Sequence, residues 1–171
     1  NIENNLRELG IQLSEEDLKK VTQRVILLGD QKEVVTREDL PYIIADVLNT
    51  NAIASRVEVL NYVLTHSKDL KPSATLRVRI DEDQFEENAQ GDGQYDAFMN
   101  ALKKIYSKKK LVLPELTDYA VRIPTGGRTD ALCETIITWK HKKREFKTRG
   151  LDSDQTVSAI KATQKMLNIL E

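Results

Sequence analysis

Hydrophobic residues recur with helical spacing in the first part of the chain, and the spacing changes near residue 49. Ser14 stands before three acidic residues, which is typical of a helix start, because its side chain can accept a hydrogen bond from a free backbone N–H. The stripe that follows consists of Leu18, Val21, Val25 and Leu28. Residues 36–39 show the same kind of helix-start pattern, and a second stripe of apolar residues follows Pro41. We therefore expect residues 1–49 to form a small helical linker subdomain.

Beyond residue 49 the pattern alternates, as expected for strands. Residues 57–64 and 76–80 are predicted to be strands, and residues 85–90 a third, weaker one. A glycine turn then leads into a helix with a core-facing stripe at intervals of three and four residues. That stripe consists of Tyr95, Phe98, Met99, Leu102, Ile105 and Tyr106.

The same order recurs in the second half of this region. Residues 116–123 are predicted to be a strand, residues 131–139 and 144–149 a hairpin, and residues 153–170 a helix capped by Asp152 or Ser153. An offset of 61 residues relates Phe85 to Phe146, Gln94 to Gln155 and Ala101 to Ala162. We therefore predict an α+β fold for residues 50–171, with two βββα units related by pseudo-symmetry and antiparallel sheets covered by helices. A sheet face left uncovered would favour dimerisation.

The glycine turns at the two predicted helix starts are the most specific local signals. The first is Gly91-Asp92-Gly93-Gln94-Tyr95-Asp96-Ala97, and the second, at residues 150–156, contains Asp154. Helix N-termini favour small anions such as carboxylates, because their N–H groups are free and the helix dipole is positive there. The structural alternative is a capping turn with glycines at positive φ. Asp96 occupies the third glycine position of a dinucleotide-binding motif, so that motif is not matched. The carboxylate of Asp96 could instead interact favourably with the positive end of the helix dipole, or pair with the ammonium group of a ligand.

Composition excludes several classes of function. The net charge of -1 argues against a dedicated nucleic-acid binder, and we expect the lysine runs near residues 103–110 and 140–144 to be solvated. The single Cys133 excludes an internal disulfide, suits a reducing cytoplasm and is expected to be a small buried residue of a strand. No apolar run approaches the ~20 residues that a membrane span needs. No cluster has metal-ligand spacing, and no catalytic set is evident. The opening at Asn1 without Met leads us to expect a fragment of a longer protein.

Four motifs in order resemble the C-terminal regulatory domain of the α-isopropylmalate synthases, a group that includes the (R)-citramalate synthases. They are the turn at residues 91–97, Leu116-x-Asp118-Tyr119, Thr129-Asp130-Ala131-Leu132 and Gly150-x-x-x-Asp154. Residues 1–49 resemble the helical subdomain that links this domain to a catalytic barrel. Bulky residues at 94–95 and 98–99, and the turn at 125–128, depart from the commonest family pattern and favour the citramalate-synthase branch.

The resemblance implies a feedback domain that dimerises and binds leucine, or alternatively isoleucine, the end products of the two pathways. It implies that the missing TIM barrel condenses acetyl-CoA with a 2-oxo acid, using a divalent metal, whereas this fragment needs no cofactor and has no catalytic residue. By motif position, Tyr95 and Asp96 would lie at the polar end of the ligand, and the second helix start would complete the site. The implied apolar wall is Leu116, Tyr119, Ile123 and Cys133, and the implied second helix start is Ser153 and Gln155.

Two other classes of protein fit the sequence less well. A stand-alone enzyme would need a clustered acid/base or metal set. A remote alternative, an RNA-binding α+β module, would need stacking aromatics on a sheet face, and only 5% of the residues are aromatic.

Overall fold

The computed structural model describes residues 1–8, 10–30, 40–48, 55–123 and 132–169. The chain divides into two compact units, Asn1–Ala54 and Ser55–Glu171. The predicted helix-start signal at 36–39, the predicted turn at 124–127 and most of the Thr129–Leu132 motif lie outside the described residues.

The first unit is helical, as predicted. It contains α1 (Ile2–Glu8), α2 (Glu15–Asp30) and α3 (Leu40–Leu48). The N–H of Asp17 donates to Oγ of Ser14 at 3.1 Å, which confirms Ser14 as the cap of α2. The core of this unit consists of Leu6, Val21, Leu28, Leu40, Ile43 and Ile44.

The second unit contains two three-stranded antiparallel sheets, each followed by a helix. The first repeat comprises β1 (Val57–Thr65), β2 (Ser73–Ile80), β3 (Asp83–Gln90) and α4 (Gln94–Lys108). The second comprises β4 (Glu115–Arg122), β5 (Cys133–His141), β6 (Arg144–Asp152) and α5 (Gln155–Ile169). The strand orders are β1-β2-β3 and β4-β5-β6. The predicted α+β class with two βββα units is therefore confirmed.

The pseudo-symmetry extends to the register of the individual residue pairs. Residues 80 and 83 pair at the β2–β3 turn, and residues 141 and 144 pair at the β5–β6 turn, so an offset of 61 holds there. The register shifts between Val59 and Asn61 in β1 and between Leu116 and Asp118 in β4. The first strands are therefore related by an offset of 57. Tyr62 consequently corresponds to Tyr119, a relation that the 61-residue offset alone does not reveal.

One continuous apolar core joins the two repeats. It includes Leu76, Phe98 and Leu102 from the first repeat and Ile137, Trp139 and Met166 from the second. Trp139 is fully buried and donates from Nε1 to Oγ1 of Thr148 at 2.8 Å, which satisfies its polar group. The predicted core-facing stripe of α4 is confirmed, because Phe98, Met99 and Leu102 are buried.

Two details of the helix starts differ from the predictions. Gly93 has φ −144, and neither it nor Gly91 is among the positive-φ residues, so the expectation of positive φ was wrong. A glycine is needed at position 91 because there is no room for a side chain: an added Cβ would lie 2.4 Å from the backbone N of Ala97. The cap of α5 is Asp154, whose Oδ1 accepts from the N–H of Val157 at 3.0 Å, and not Asp152 or Ser153.

Candidate functional site

A cleft of about 740 Å³ lies between α4 and the segment that connects it to β4. Its size falls within the range of small-molecule sites in proteins. Residues from one side of α4 and from positions 111–116 form its walls. The lining comprises Tyr95, Asp96, Met99, Lys103, Tyr106, Ser107, Leu111, Val112, Leu113, Pro114, Glu115 and Leu116.

Asp96 places a carboxylate in this cleft at the first turn of α4. Its Oδ2 accepts the N–H of Asp92 at 2.8 Å, which fixes the side chain against the preceding turn. A carboxylate is favoured at this end of a helix. Among the described residues no partner is found for its second oxygen. Asp96 can therefore keep its structural bond and still accept a hydrogen bond from a cationic ligand group.

Tyr95 contributes its ring to the cleft and directs its hydroxyl elsewhere. The hydroxyl oxygen lies 2.7 Å from Oγ1 of Thr163 on α5. The ring stacks on Phe98 and lies 5.6 Å, centroid to centroid, from the tilted ring of Tyr119. Burial raises the pKa of the Tyr95 hydroxyl above its usual value. Tyr95 thus joins the two repeats and offers an apolar surface to the cleft.

Lys103 is the cationic side chain of the cleft lining. The prediction that the lysine run at 103–110 is solvated is confirmed for Lys103, Lys104, Lys108 and Lys110, which are exposed, whereas Lys109 is half-buried. Lys104 donates to the carbonyl of Asn88 at 2.7 Å, and Lys109 pairs with Asp83 at 2.7 Å. Lys103, in contrast, makes no hydrogen bond or ion pair with other described residues.

The structure separates the predicted site residues into two groups. Tyr95, Asp96 and Leu116 line the cleft, and Tyr119 contacts Tyr95. Ile123 follows the last residue of β4 and is therefore seven positions from Leu116, or about 20 Å along an extended strand.

The second group lies at that far end of the sheet. Cys133 is the first residue of β5, is half-buried and pairs in register with Asp152. Ser153 and Gln155 follow at the start of α5. The members of this group are Ile123, Cys133, Ser153 and Gln155.

The start of α5 is organised by internal hydrogen bonds. Oδ1 of Asp152 accepts from the N–H of Asp154 at 2.9 Å, and Oδ2 pairs with the ammonium of Lys161 at 2.9 Å. The bond from Lys161 is the main cause that holds the pKa of Asp152 below its usual value, followed by the bond from Asp154. These contacts fix the turn that precedes Gln155.

A buried ion cluster near the far end was not identified from the sequence. Glu134 is only 2% exposed, and its Oε1 lies 3.2 Å from Nη2 of Arg122 and 3.9 Å from Nε of Arg149. These residues lie on three neighbouring strands, so sequence spacing gives no signal for them. Buried charged groups in proteins are normally paired, and the contacts of this cluster connect the side chains of β4, β5 and β6.

Neither a metal centre nor a membrane span is found in the part of the chain that the structure describes. No group of three or more His, Cys, Asp or Glu side chains there could hold a metal ion. No described helix is both long enough and apolar enough to cross a membrane.

Comparison with known proteins assigns the family. The LeuA allosteric (dimerisation) domain family matches residues 34–171. The 2-isopropylmalate synthase of Heliobacterium modesticaldum is 34% identical over 163 residues, which is 95% of this chain and 30% of that protein. The 2-isopropylmalate synthase of Methanocaldococcus jannaschii is 31% identical over 173 residues, 98% of this chain and 32% of that protein. The putative (R)-citramalate synthase CimA of Archaeoglobus fulgidus is 28% identical over 165 residues, 96% of this chain and 33% of that protein.

The chain spans about a third of the length of these relatives. The family match covers the whole of the second unit, including both repeats and the cleft. The chain therefore belongs to the LeuA allosteric (dimerisation) domain family, the regulatory-domain family that it shares with 2-isopropylmalate and (R)-citramalate synthases.

Proposed function

We propose that this chain is the feedback-inhibition domain of a cytoplasmic 2-isopropylmalate synthase and that it binds leucine. In the longer protein it would act on a catalytic TIM barrel that condenses acetyl-CoA with 2-oxoisovalerate, with a divalent metal held by the barrel. The family match and the names of the relatives support the type of enzyme. The effector is inferred from the chemistry of the cleft.

The observation that carries the proposal is the combination of opposite charges and an apolar wall in one cleft. Asp96 on α4 and Glu115 on β4 supply carboxylates, and Lys103 on α4 supplies an ammonium group. Between and opposite them the lining is mostly apolar, through Met99, Leu113 and Leu116 among others. A zwitterionic amino acid with a branched apolar side chain matches these three features. Hydrogen bonds between charged partners contribute more than neutral ones, typically ~1.5–3 kcal/mol each.

Isoleucine is the alternative effector, and an (R)-citramalate synthase is the alternative enzyme. Two of the similar relatives are putative (R)-citramalate synthases, at 28% and 30% identity. Leucine and isoleucine differ only in the position of a methyl branch. Apolar pockets separate ligands that differ by one methylene by only ~1–3 kcal/mol, so we expect both amino acids to bind, one more tightly.

Dimerisation is part of the proposal, because it would unite the two groups of predicted site residues. β4 is an edge strand whose side chains are mostly exposed, with Ile123 68% exposed beyond its end. In a twofold dimer, residue i of one chain contacts residue j of the other, and the reverse also holds. If two β4 strands met antiparallel, the Ile123 end of one would approach the Leu116 end of the other. Ile123, Cys133, Ser153 and Gln155 of a second chain could then complete the cleft.

Titration calorimetry of the purified chain with leucine and isoleucine tests the proposal. The matched ligand control is 4-methylpentanoate, which keeps the carboxylate and the branched side chain of leucine and lacks the ammonium. We expect leucine to bind more tightly than this analogue, and Asp96→Asn to remove most of the difference. Cys133→Ala should weaken leucine binding less than Asp96→Asn, because it removes only a wall contact.

The outcomes separate the parts of the proposal. Absence of heat with either amino acid at millimolar concentration would refute the sensor function for this chain. Leucine binding that is unchanged in Asp96→Asn would refute the role of Asp96 alone. Sedimentation analysis that shows only monomer at micromolar concentration, with and without leucine, would refute the completion of the site by a second chain.

A further inference from the structure

The chain enters its second unit through a residue that is hydrogen-bonded by both repeats. The boundary between the units falls between Ala54 and Ser55, and Arg56 precedes the first residue of β1. The N–H of Arg56 donates to Oδ1 of Asn168 on α5 at 2.9 Å. Its carbonyl accepts the N–H of Asp81, in the turn between β2 and β3, at 2.9 Å. The backbone of Arg56 is therefore held by the second repeat on one side and by the first on the other.

The side chain of Arg56 bonds to the same turn. Its Nε donates to Oδ1 of Asp81 at 2.9 Å, and its Nη2 donates to Oδ2 at 3.3 Å. Such two-bond pairs fix the orientation of both groups, because the planar guanidinium matches the planar carboxylate. The bond from Arg56 is the main cause that holds the pKa of Asp81 below its usual value. Both the backbone and the side chain of Arg56 are thus attached to the turn at Asp81.

Arg79 on β2 holds the carbonyl groups around Arg56. Its Nη1 donates to the carbonyl of Asp81 at 2.6 Å and to that of Arg56 at 3.5 Å. Its Nη2 donates to the carbonyl of Ser55 at 3.0 Å and lies 3.4 Å from Oε2 of Glu58. A guanidinium can serve several acceptors at once, because it has five N–H donors in one plane. The members of this set, which we call the entry anchor, are Arg56, Arg79, Asp81 and Asn168.

The second repeat lacks the central pair of the entry anchor. The offset of 61 between the hairpins places Lys142 at the position of Asp81. The offset of 57 between the first strands places Leu113 at the position of Arg56. The chain reaches β4 from α4 of the same unit, whereas it reaches β1 from the other unit. The entry anchor is therefore not a requirement of the βββα fold, and it occurs where the chain arrives from outside the unit.

We propose that the entry anchor is a conformational device that fixes the start of the second unit jointly to both repeats. Asn168 belongs to the second repeat and Asp81 to the first, and Arg56 is bonded to both. Movement of α5 away from β1 would remove the bond to the N–H of Arg56 and loosen the segment. In the longer protein, the anchor would in this way pass a rearrangement of the two repeats to the chain that precedes Ser55.

Amide hydrogen exchange of the full chain, followed by NMR, tests the anchor at the N–H of Asp81. This N–H donates to the carbonyl of Arg56, so its exchange reports the release of Arg56. Arg79→Ala removes the bonds to the carbonyl groups around Arg56, and we expect exchange at Asp81 to become about tenfold faster or more. Arg56→Lys keeps the charge and loses the planar fork, and it should speed exchange in the same direction.

Asn168→Ala tests whether the two repeats hold the same segment. The side chain of Asn168 bonds to the backbone of Arg56, Val57 and Gln164. Its removal reaches Asp81 through the start of the second unit, and not through a bond to Asp81 itself. We expect exchange at Asp81 to become about fivefold faster in this variant.

Two control variants separate a local effect from a general loss of stability. Arg77→Ala removes the neighbouring exposed arginine of β2, which pairs with Glu86 at 3.1 Å, and should leave exchange at Asp81 unchanged. Thr148→Val removes the acceptor of the Trp139 N–H, so it lowers the stability of the whole unit and should also leave this exchange unchanged. Circular dichroism and urea unfolding of each variant establish that the fold is kept.

Each outcome decides for or against the entry anchor. Faster exchange at Asp81 in both Arg79→Ala and Asn168→Ala, with both controls like wild type, supports it. Unchanged exchange in folded Arg79→Ala overturns it, and Arg56→Lys decides in the same way if Arg79→Ala does not fold. An effect of Arg79→Ala without an effect of Asn168→Ala overturns the joint attachment to both repeats. Equal acceleration in Thr148→Val would show that the segment opens only with the whole unit, which also overturns the proposal. No ligand is used, so these outcomes are independent of effector binding.

Discussion

Replacement of Gly150 by alanine should be one of the most destabilising single-methyl additions in this protein. Gly150 lies on β6 directly beneath α5. An added Cβ would lie 1.9 Å from the carbonyl oxygen of Ser158 and 2.7 Å from the backbone N of Ala162. Ordinary contacts begin near 3.4 Å, so helix and strand would have to separate by about 1.5 Å.

The size of the effect follows from which atoms collide. Overpacking of a core typically costs ~1–3 kcal/mol, and a flexible side chain can often move aside. Here the obstacle is helix backbone, so we expect a loss of about 3 kcal/mol or more in the free energy of unfolding. That is a large share of the ~5–15 kcal/mol that stabilises a typical protein. For a chain of this length it corresponds to a fall of roughly 6–12 °C in the melting temperature.

Urea unfolding followed by far-ultraviolet circular dichroism measures this loss, with thermal melts in parallel. Gly93→Ala is the matched control, because nothing lies within 4 Å of the position that an added Cβ would take, and its φ of −144 suits any residue. We expect that control to stay within about 1 kcal/mol of wild type. If Gly150→Ala also stays within about 1 kcal/mol, the close approach of α5 to β6 cannot be as described.

Three further substitutions test individual contacts. Tyr95→Phe removes the 2.7 Å bond to Thr163 and should cost about 1 kcal/mol in urea unfolding, whereas equal or greater stability would show that this bond contributes nothing. Lys161→Met should raise the pKa of Asp152 towards its usual value in an NMR titration, and an unchanged pKa would contradict the assigned cause. Because the wild-type pKa is lowered, the ion pair contributes stability, under about 1 kcal/mol, that is present above pH ~4. This stability should disappear as the pH falls through the pKa of Asp152 in the folded protein. Asn168→Ala removes two hydrogen bonds between α5 and the backbone of Val57. It should cost about 2 kcal/mol and speed amide hydrogen exchange at the start of β1, so unchanged exchange there would argue against these contacts.

Much of the fold could be predicted because its signals are local. Alternation along β2 and the apolar stripe of α4 reflect the side chains that face the core, and buried Leu76 and Phe98 lie where those patterns place them. The 61-residue offset was visible because the hairpins and helices of the two repeats have kept the same spacing. The cap of α5 was misplaced by one or two residues, because Asp152, Ser153 and Asp154 are all good capping residues.

The cleft could not be predicted to the same degree, because it depends on contacts between repeats. The turn at residues 91–97 pointed to Asp96, which lines it, but Lys103 was assigned to a solvated lysine run. The different offset of β1 and β4 also concealed that Tyr62 and Tyr119 are equivalent.

The hydrogen bonds from Gln164 of α5 to the backbone of Val57 and Val59 in β1 also bear on how a duplicated domain of this kind can arise. A side chain of the second repeat closes the strand edge of the first, so a single βββα unit alone would leave that edge open to solvent and to other chains. Two identical units could satisfy each other by reciprocal exchange of the same contacts, as in a twofold homodimer. The present chain holds two such units in one polypeptide. Fusion allows the two equivalent contacts between a helix and the edge strand of the other repeat to diverge, so that one can remain structural while the other opens to solvent.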